Sequence, residues 1–396
     1  MNAAPDPRCV MIVAGEASGD LHGAHLVRAL RREAPGLFVC GIGGDHLRME
    51  GVRILLDASR LAVVGITEVL AKLPVVWQAL GLVKKLLHSL RPDLLILIDF
   101  PDFNLRVARM AKKRGIPVLY YVSPQIWAWR RGRVQTIKQR VDHMAVILPF
   151  EAGFYQAHGV PVTFVGHPLL DVWGGMPPLQ PPAGLVAAPV VGLLPGSREG
   201  EIQRLLPVML QAARRLENQF KTIRFLVSVA PTVNREQFGG IMQRYPGRAP
   251  IEVVAGGIEP ILRACHLVLA ASGTVTLEAA IGGMPMVIVY KVSPLSYRIG
   301  KALIRVKHIS LVNLIAGRGL VPELIQDQAT PTNIAAAAAA MLADPRQLAT
   351  LRAELLKIRS LLGGRGASAR VAAIALALLK SPQGFDARSA GREASE

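Results

Sequence analysis

The chain has 396 residues, enough for two domains of ordinary size, each with its own core. Hydrophobic residues at 51% and charged residues at 19% exclude a disordered chain. The three cysteines, Cys9, Cys40 and Cys265, lie too far apart in sequence for a disulfide framework or a zinc site, and suit a reducing compartment.

The formal net charge of +18 calls for an anionic partner. There is no zinc-finger spacing or aromatic RNA-binding strand, and aromatics are only 5%, so no nucleic acid is expected. Phosphate chemistry or an acidic membrane surface fits the charge better. No stretch reaches the ~18 uncharged apolar residues of a membrane-spanning helix. The apolar run at residues 9–14 is too short for a signal-peptide core, so a cytoplasmic protein is expected.

Residues 9–170 alternate strand and helix patterns. A strand at 9–14 runs into Gly15-Glu16-Ala17-Ser18-Gly19-Asp20, a turn opening a helix whose free N–H groups suit an anion. This is no Walker A loop, because the Lys-Ser/Thr pair is missing. The next strand, 37–42, leads to Gly41-x-Gly43-x-x-His46, which fails the dinucleotide fingerprint at its third glycine. No cofactor is expected.

Leu73, Val76, Trp77, Leu80, Val83, Leu87 and Leu90 then recur at helical spacing, with Lys84, Lys85 and His88 nearby. This stripe is either a core face or a face lying in a membrane interface with Trp77 at headgroup depth.

Residues 94–98, Leu-Leu-Ile-Leu-Ile, read as a strand buried on both faces of a parallel sheet. Asp99 falls at its carboxyl end, where open α/β sheets bind ligands. The alternative role for a carboxylate here is to cap a helix starting near Leu105, although Asp102 or Asn104 would suit the cap better. After a strand at 118–122, Ser123 to Arg131 brings Trp127 and Trp129 beside Arg130 and Arg131, as an aromatic and cationic wall or as a packing anchor. His167, between Gly166 and Pro168, has no acidic partner in view and is expected to be structural.

Pro177, Pro178, Pro181, Pro182 and Pro189 mark residues 173–189 as an interdomain linker. We therefore expect an N-terminal domain over 1–172 and a second over 190–380, whose last helices could pack back on the first. A disordered tail is expected over 381–396. In the second block a strand at 190–194 precedes Gly196-Ser197-Arg198, where a guanidinium and backbone N–H groups meet, apt for a diphosphate. Ser272-Gly273-Thr274 follows a strand at 267–271 and opens a helix carrying Glu278, four residues after Thr274 and on the same face. Either turn could be a plain capped helix; together they suggest a nucleotide-sugar site across an interdomain cleft from Asp99. Arg298, Lys301, Arg305 and His308 recur on one expected helix face, either solvated or membrane-facing.

These motifs resemble the lipid-A-disaccharide synthase family over most of the chain. The resemblance is carried by 14–20 (AGEASGD), 98–104 (IDFPDFN), 121–129 (YVSPQIWAW), 194–198 (LPGSR), 271–274 (ASGT) with Glu278, and 310–318 (SLVNLIAGR). It implies a GT-B-type α/β fold of two Rossmann-like, doubly wound domains. The implied reaction is inverting transfer from a UDP-2,3-diacylglucosamine donor to a 2,3-diacylglucosamine 1-phosphate acceptor, giving a β-1,6-linked disaccharide and UDP. Asp99 matches the favoured base. Gly196, Ser197, Arg198, Ser272, Gly273, Thr274, Glu278 and Asn313 match the UDP-sugar side, and Glu16, Ser18, Gly19, Asp102, Ser123 and Trp127 the acceptor side and its loops.

The resemblance also implies peripheral contact with the anionic cytoplasmic face of an inner membrane. No Asp-x-Asp pair is present, so no metal is expected. Ala17 departs from the threonine frequent in relatives. The oligomeric state is left open between monomer and homodimer. A UDP-N-acetylglucosamine 2-epimerase is the alternative on a similar fold.

Overall fold

The computed structural model describes residues 8–60, 66–180, 188–231, 233–245, 247–303 and 306–380. The disordered tail expected at 381–396, part of the expected linker (181–187) and Arg305 lie outside these residues. Contacts divide the chain into two compact units. One holds the described residues up to Asp171 together with those from Gly363 onward, and the other spans Val172–Leu362.

The first unit is a seven-stranded parallel sheet of β1 (Cys9–Ala14), β2 (Phe38–Gly43), β3 (Arg53–Asp57), β4 (Leu94–Ile98), β5 (Val118–Tyr121), β6 (His143–Val146) and β7 (Val162–Phe164). Its order is β3-β2-β1-β4-β5-β6-β7. Every residue of β4 is fully buried, which explains the unbroken Leu/Ile run: helices cover both faces of a parallel sheet. The last helix, Ala367–Lys380, packs on the first, Ala17–Glu33. There Arg370 donates to the carbonyl of Val165 (2.8 Å) and Arg8 to that of Leu379.

The second unit repeats the plan with β8 (Val190–Leu194), β9 (Arg224–Val229), β10 (Ile251–Ala255), β11 (Leu267–Ala271), β12 (Met286–Tyr290) and β13 (Glu323–Ile325). The order β10-β9-β8-β11-β12-β13 is again all parallel. Part of the expected linker is built into this unit: Leu179 is buried and its N–H donates to the carbonyl of Gly282 at 3.1 Å.

Three local expectations change. The helix after β4 starts at Pro101, not near Leu105, because a proline suits a first helical position, so neither Asp102 nor Asn104 is its cap. The basic face ends early: the helix Pro294–Leu303 carries exposed Arg298 and Lys301, while His308 lies beyond it, before the helix Leu311–Ala316. The apolar stripe of helix Ile66–Ser89 divides. Leu80, Val83 and Leu87 enter the core, whereas Trp77, at the stripe's edge, is 66% exposed beside Val75 and Leu82.

Asp20 shows how long-range polar contacts lock the first unit. Its buried carboxylate accepts from the N–H groups of Gly44 (2.6 Å), His46 (2.9 Å) and Leu47 (3.3 Å), capping the short helix Asp45–Met49. Replacing Asp20 by Ala leaves the buried Leu47 N–H unpaired and uncaps the short helix, and should destabilise the protein by about 1–3 kcal/mol in urea unfolding. An unchanged midpoint would show that water replaces the carboxylate.

Candidate active site

In an open parallel sheet the ligand crevice forms where the strand order reverses, outside the carboxyl ends of two neighbouring strands. In the first unit those strands are β1 and β4. Gly15 and Glu16 follow β1, and Asp99 and Phe100 follow β4. Only these two residues separate β4 from the helix Pro101–Lys112, and both have φ of +46°. The left-handed region costs a residue with a Cβ roughly 1–2 kcal/mol, so this turn is held by its surroundings.

Asn104 Nδ2 donates to the carbonyls of Ile98 (3.1 Å) and Asp99 (2.7 Å). Tyr120 Oη donates to the same Asp99 carbonyl at 2.5 Å. The Phe100 ring lies over Gly15, where a Cβ would come within 2.4 Å of it, so the β1 turn needs glycine there. Burial, and secondarily the Glu16 carboxylate, push the Asp99 carboxyl up to about 6, against the lowering effect of the Phe100 N–H.

The other first-unit candidates divide. Glu16 and Ser18 are exposed at the start of the helix Ala17–Glu33, which has no side-chain cap, so its first N–H groups stay open. Gly19 is buried and packs against Ile98 and Ala14. Asp102 is exposed and pairs with Arg133 and, at 3.6 Å, with Arg130, whose guanidinium stacks on Trp129.

Ser123 and Trp127 turn inward, so Trp127 follows the packing-anchor reading of its segment. The Trp127 indole donates to Glu151 Oε1 (3.0 Å), and the Ser123 hydroxyl bonds that of Tyr155 (2.7 Å). Glu151 also takes the Leu148 N–H (3.0 Å), and burial pushes its carboxyl up to about 7. His167 is structural: it is buried, accepts the Leu169 N–H, and burial holds it down to about 3.

In the second unit the order reverses between β8 and β11. A cavity of about 350 Å³ opens there, lined by Gly196, Ser197, Arg198, Ser272, Gly273, Thr274 and Glu278. Gly196 has φ of +106°, and a Cβ on it would strike the Glu201 carboxylate, so this turn also demands glycine. Arg198 is largely exposed, its guanidinium 3.5 Å from Glu201. The helix Thr274–Ile281 starts at Gly273 without a side-chain cap, an anion site by geometry and dipole. Burial pushes the Glu278 carboxyl up to about 7, opposed by a hydrogen bond with Trp173.

Sequence reasoning missed Ser228 and Gly257 on the same wall, although Gly256-Gly257 after β10 was a readable turn signal. Asn313 is not in this pocket. Its amide donates to Val321 and Glu323 and accepts from the N–H groups of Leu320 and Val321, bracing the following loop. A larger groove of about 710 Å³, lined by Arg214, Arg215 and Arg244, lies at the far end of the helix Glu199–Glu217, away from the strand ends.

The Asp99 titration is directly measurable. Carboxyl carbon NMR should give a midpoint of about 6, and Glu16→Gln should move it down because a like charge is removed. Tyr120 on β5, whose hydroxyl burial pushes well up, stays neutral through that range. A midpoint near 4 in the wild type would show that the carboxylate is well solvated.

A profile of the lipid-A-disaccharide synthetase family matches residues 10–376. The lipid-A-disaccharide synthase of Geobacter metallireducens is 48% identical over 385 residues, 96% of this chain and 99% of that protein. That of Nitrosococcus oceani is 46% identical over 391 residues, 96% of this chain and 97% of that one. Among solved structures, the UDP-GlcNAc 2-epimerase of Neisseria meningitidis bound to UDP-GlcNAc superposes with a TM-score of 0.61 at 12% identity, covering 94% of this chain and 99% of that one. MurG of Acinetobacter baumannii gives 0.59 at 14%, covering 93% and 99%. At such identities these likenesses show the fold alone, two Rossmann-like domains of GT-B type. The sequence relatives decide the rest: the chain belongs to the lipid-A-disaccharide synthase family and is a glycosyltransferase.

Proposed function

We propose that the chain transfers a 2,3-diacylglucosaminyl group from its UDP donor to 2,3-diacylglucosamine 1-phosphate, forming a β-1,6 bond with inversion and releasing UDP. The observation that carries this reading is the pairing of unlike chemistries at equivalent points of two sheets. A half-buried carboxylate, Asp99, follows β4, and a pocket with an open helix N-terminus and Arg198 follows β8 and β11.

In this reading Asp99 takes the proton of the acceptor hydroxyl as its oxygen attacks the anomeric carbon, and the bond to the UDP oxygen breaks on the opposite face. Negative charge building on the diphosphate is met by Arg198 and by the open N–H groups starting at Thr274. Glu278 accepts hydrogen bonds from ribose hydroxyls, which favour its charged form. Among the described residues no cluster of His, Cys, Asp or Glu is arranged to hold a metal ion.

Asp99→Asn should lower transfer by ~10²–10⁴-fold, followed by mass spectrometry of the disaccharide, with UDP affinity nearly unchanged. Retention of more than about a tenth of the wild-type rate would remove Asp99 from the role of base. Arg198→Ala and Glu278→Ala should each weaken UDP binding by roughly ten- to hundredfold in calorimetry, since hydrogen bonds to charged groups contribute about 1.5–3 kcal/mol. Unchanged affinity in both would move the donor site elsewhere.

We further propose that the first unit meets an anionic membrane through helix Ile66–Ser89. No helix among the described residues is long and apolar enough to cross a membrane, yet the proposed substrates carry acyl chains. Val75, Trp77 and Leu82 are exposed there, with Lys84 and Lys85 exposed beside them. An amphipathic face of this kind binds by apolar burial plus about 1 kcal/mol for each basic residue near an acidic surface. Trp77→Ser with Leu82→Ser should leave melting unchanged and cut co-sedimentation with anionic vesicles several-fold, and salt should weaken wild-type binding. Undiminished binding by the double variant would place the contact on another face.

A further inference from the structure

We propose that Asn104 and Tyr120 are positioning residues that aim the Asp99 carboxylate by gripping the Asp99 main-chain carbonyl. The inference rests on the reading of Asp99 as base. Two donors from different elements converge on one oxygen: Asn104 Nδ2 from the first turn of the following helix (2.7 Å) and Tyr120 Oη from β5 (2.5 Å). Asn104 adds a second bond to the Ile98 carbonyl (3.1 Å), so its amide clamps the last strand residue and the first turn residue together. Of the clamped residues Asp99 has φ of +46°, as does Phe100 after it, a conformation that a side chain with a Cβ adopts only when its surroundings impose it.

Two features separate this from ordinary packing. Asn104 is fully buried, and its Oδ1 has no hydrogen-bond partner among the described residues. A buried unpaired acceptor is unfavourable, so a residue serving only to fill space would be apolar; what the amide offers is its two donors. Tyr120 likewise lies wholly inside the sheet, where Phe would pack equally well, and differs from it only by the hydroxyl that reaches Asp99. The donors also avoid the carboxylate. Further hydrogen bonds to the carboxylate, beyond that of the Phe100 N–H, would stabilise its charged form and weaken it as a base, whereas bonds to the carbonyl fix its direction without adding to them.

The experiment compares wild type, Tyr120→Phe, Asn104→Ala and each change combined with Asp99→Asn. Turnover, KM for both substrates, UDP affinity and melting temperature are measured on the full chain. A displacement of about 1 Å at a reacting group lowers rates by up to ~10²-fold, so Asn104→Ala should lower kcat by ~10–100-fold and Tyr120→Phe by ~5–10-fold. KM and UDP affinity should stay within about twofold of wild type, because substrate binding is untouched while aim is lost. On the residual rate of Asp99→Asn, both changes should have less than about a twofold effect, because nothing remains to be aimed.

Wild-type kcat in Tyr120→Phe, a parallel rise in KM, or equal losses with and without Asp99 would each overturn the proposal. If Asn104→Ala does not fold, Tyr120→Phe decides alone, since it removes one hydroxyl and no packing. Wild-type turnover in Asp99→Asn would instead sink the base assignment itself, a result the other readouts do not mimic.

Discussion

A general base faces two demands that pull against each other. It must be rigid enough to meet one hydroxyl, and its oxygens must stay uncommitted enough to accept a proton. For Asp99 as the proposed base, the turn after β4 serves both demands through the main chain. β4 is wholly buried, so the position of Ile98 is set by the sheet, and the helix restarts at Pro101 after only Asp99 and Phe100. With two residues to reverse direction, the backbone enters the left-handed region, and the donors of Asn104 and Tyr120 meet the exposed carbonyl. Gly15 belongs to the same constraint, since any side chain there would displace the Phe100 ring.

The two units apply one topology to opposite charges. Each sheet reverses its order between two central strands, so each presents two turns at neighbouring strand ends. The first fills that position with carboxylates, Glu16 and Asp99, whose mutual repulsion adds to burial in raising the latter. The second fills it with Arg198 and open helix N–H groups, and leaves Glu278 short of solvent. The same loop positions thus carry carboxylates in one unit and an arginine with open helix N–H groups in the other.

Much of this was legible in the sequence because it is local. The Leu/Ile run at 94–98, the glycines at 196 and 273, and the carboxylate at 99 each declare themselves within a few residues. What was not legible depends on distant partners. Asn104 read as a helix cap because the helix start hinged on Pro101 and on torsions that sequence does not report. Trp127 read equally as a wall or as a packing anchor, and only Glu151, 24 positions away, decides for the anchor by taking its indole. Asn313 suited a sugar contact by resemblance, while its amide braces its own loop. The apolar stripe at 73–90 had the right period, but Trp77 lies at its edge, where a shift in helix rotation decides between core and solvent.

The elevated but still acidic character of Asp99 bears on how it would reset in the proposed role of base. A base with a midpoint of about 6 holds a captured proton only briefly in a neutral medium, because loss to water is then downhill. Raising it further would make a stronger base that stays protonated between cycles; lowering it would speed recovery and weaken the pull on the hydroxyl. In the proposed role, the partial burial of this one carboxyl would therefore set a compromise between the strength of each stroke and the speed of re-arming.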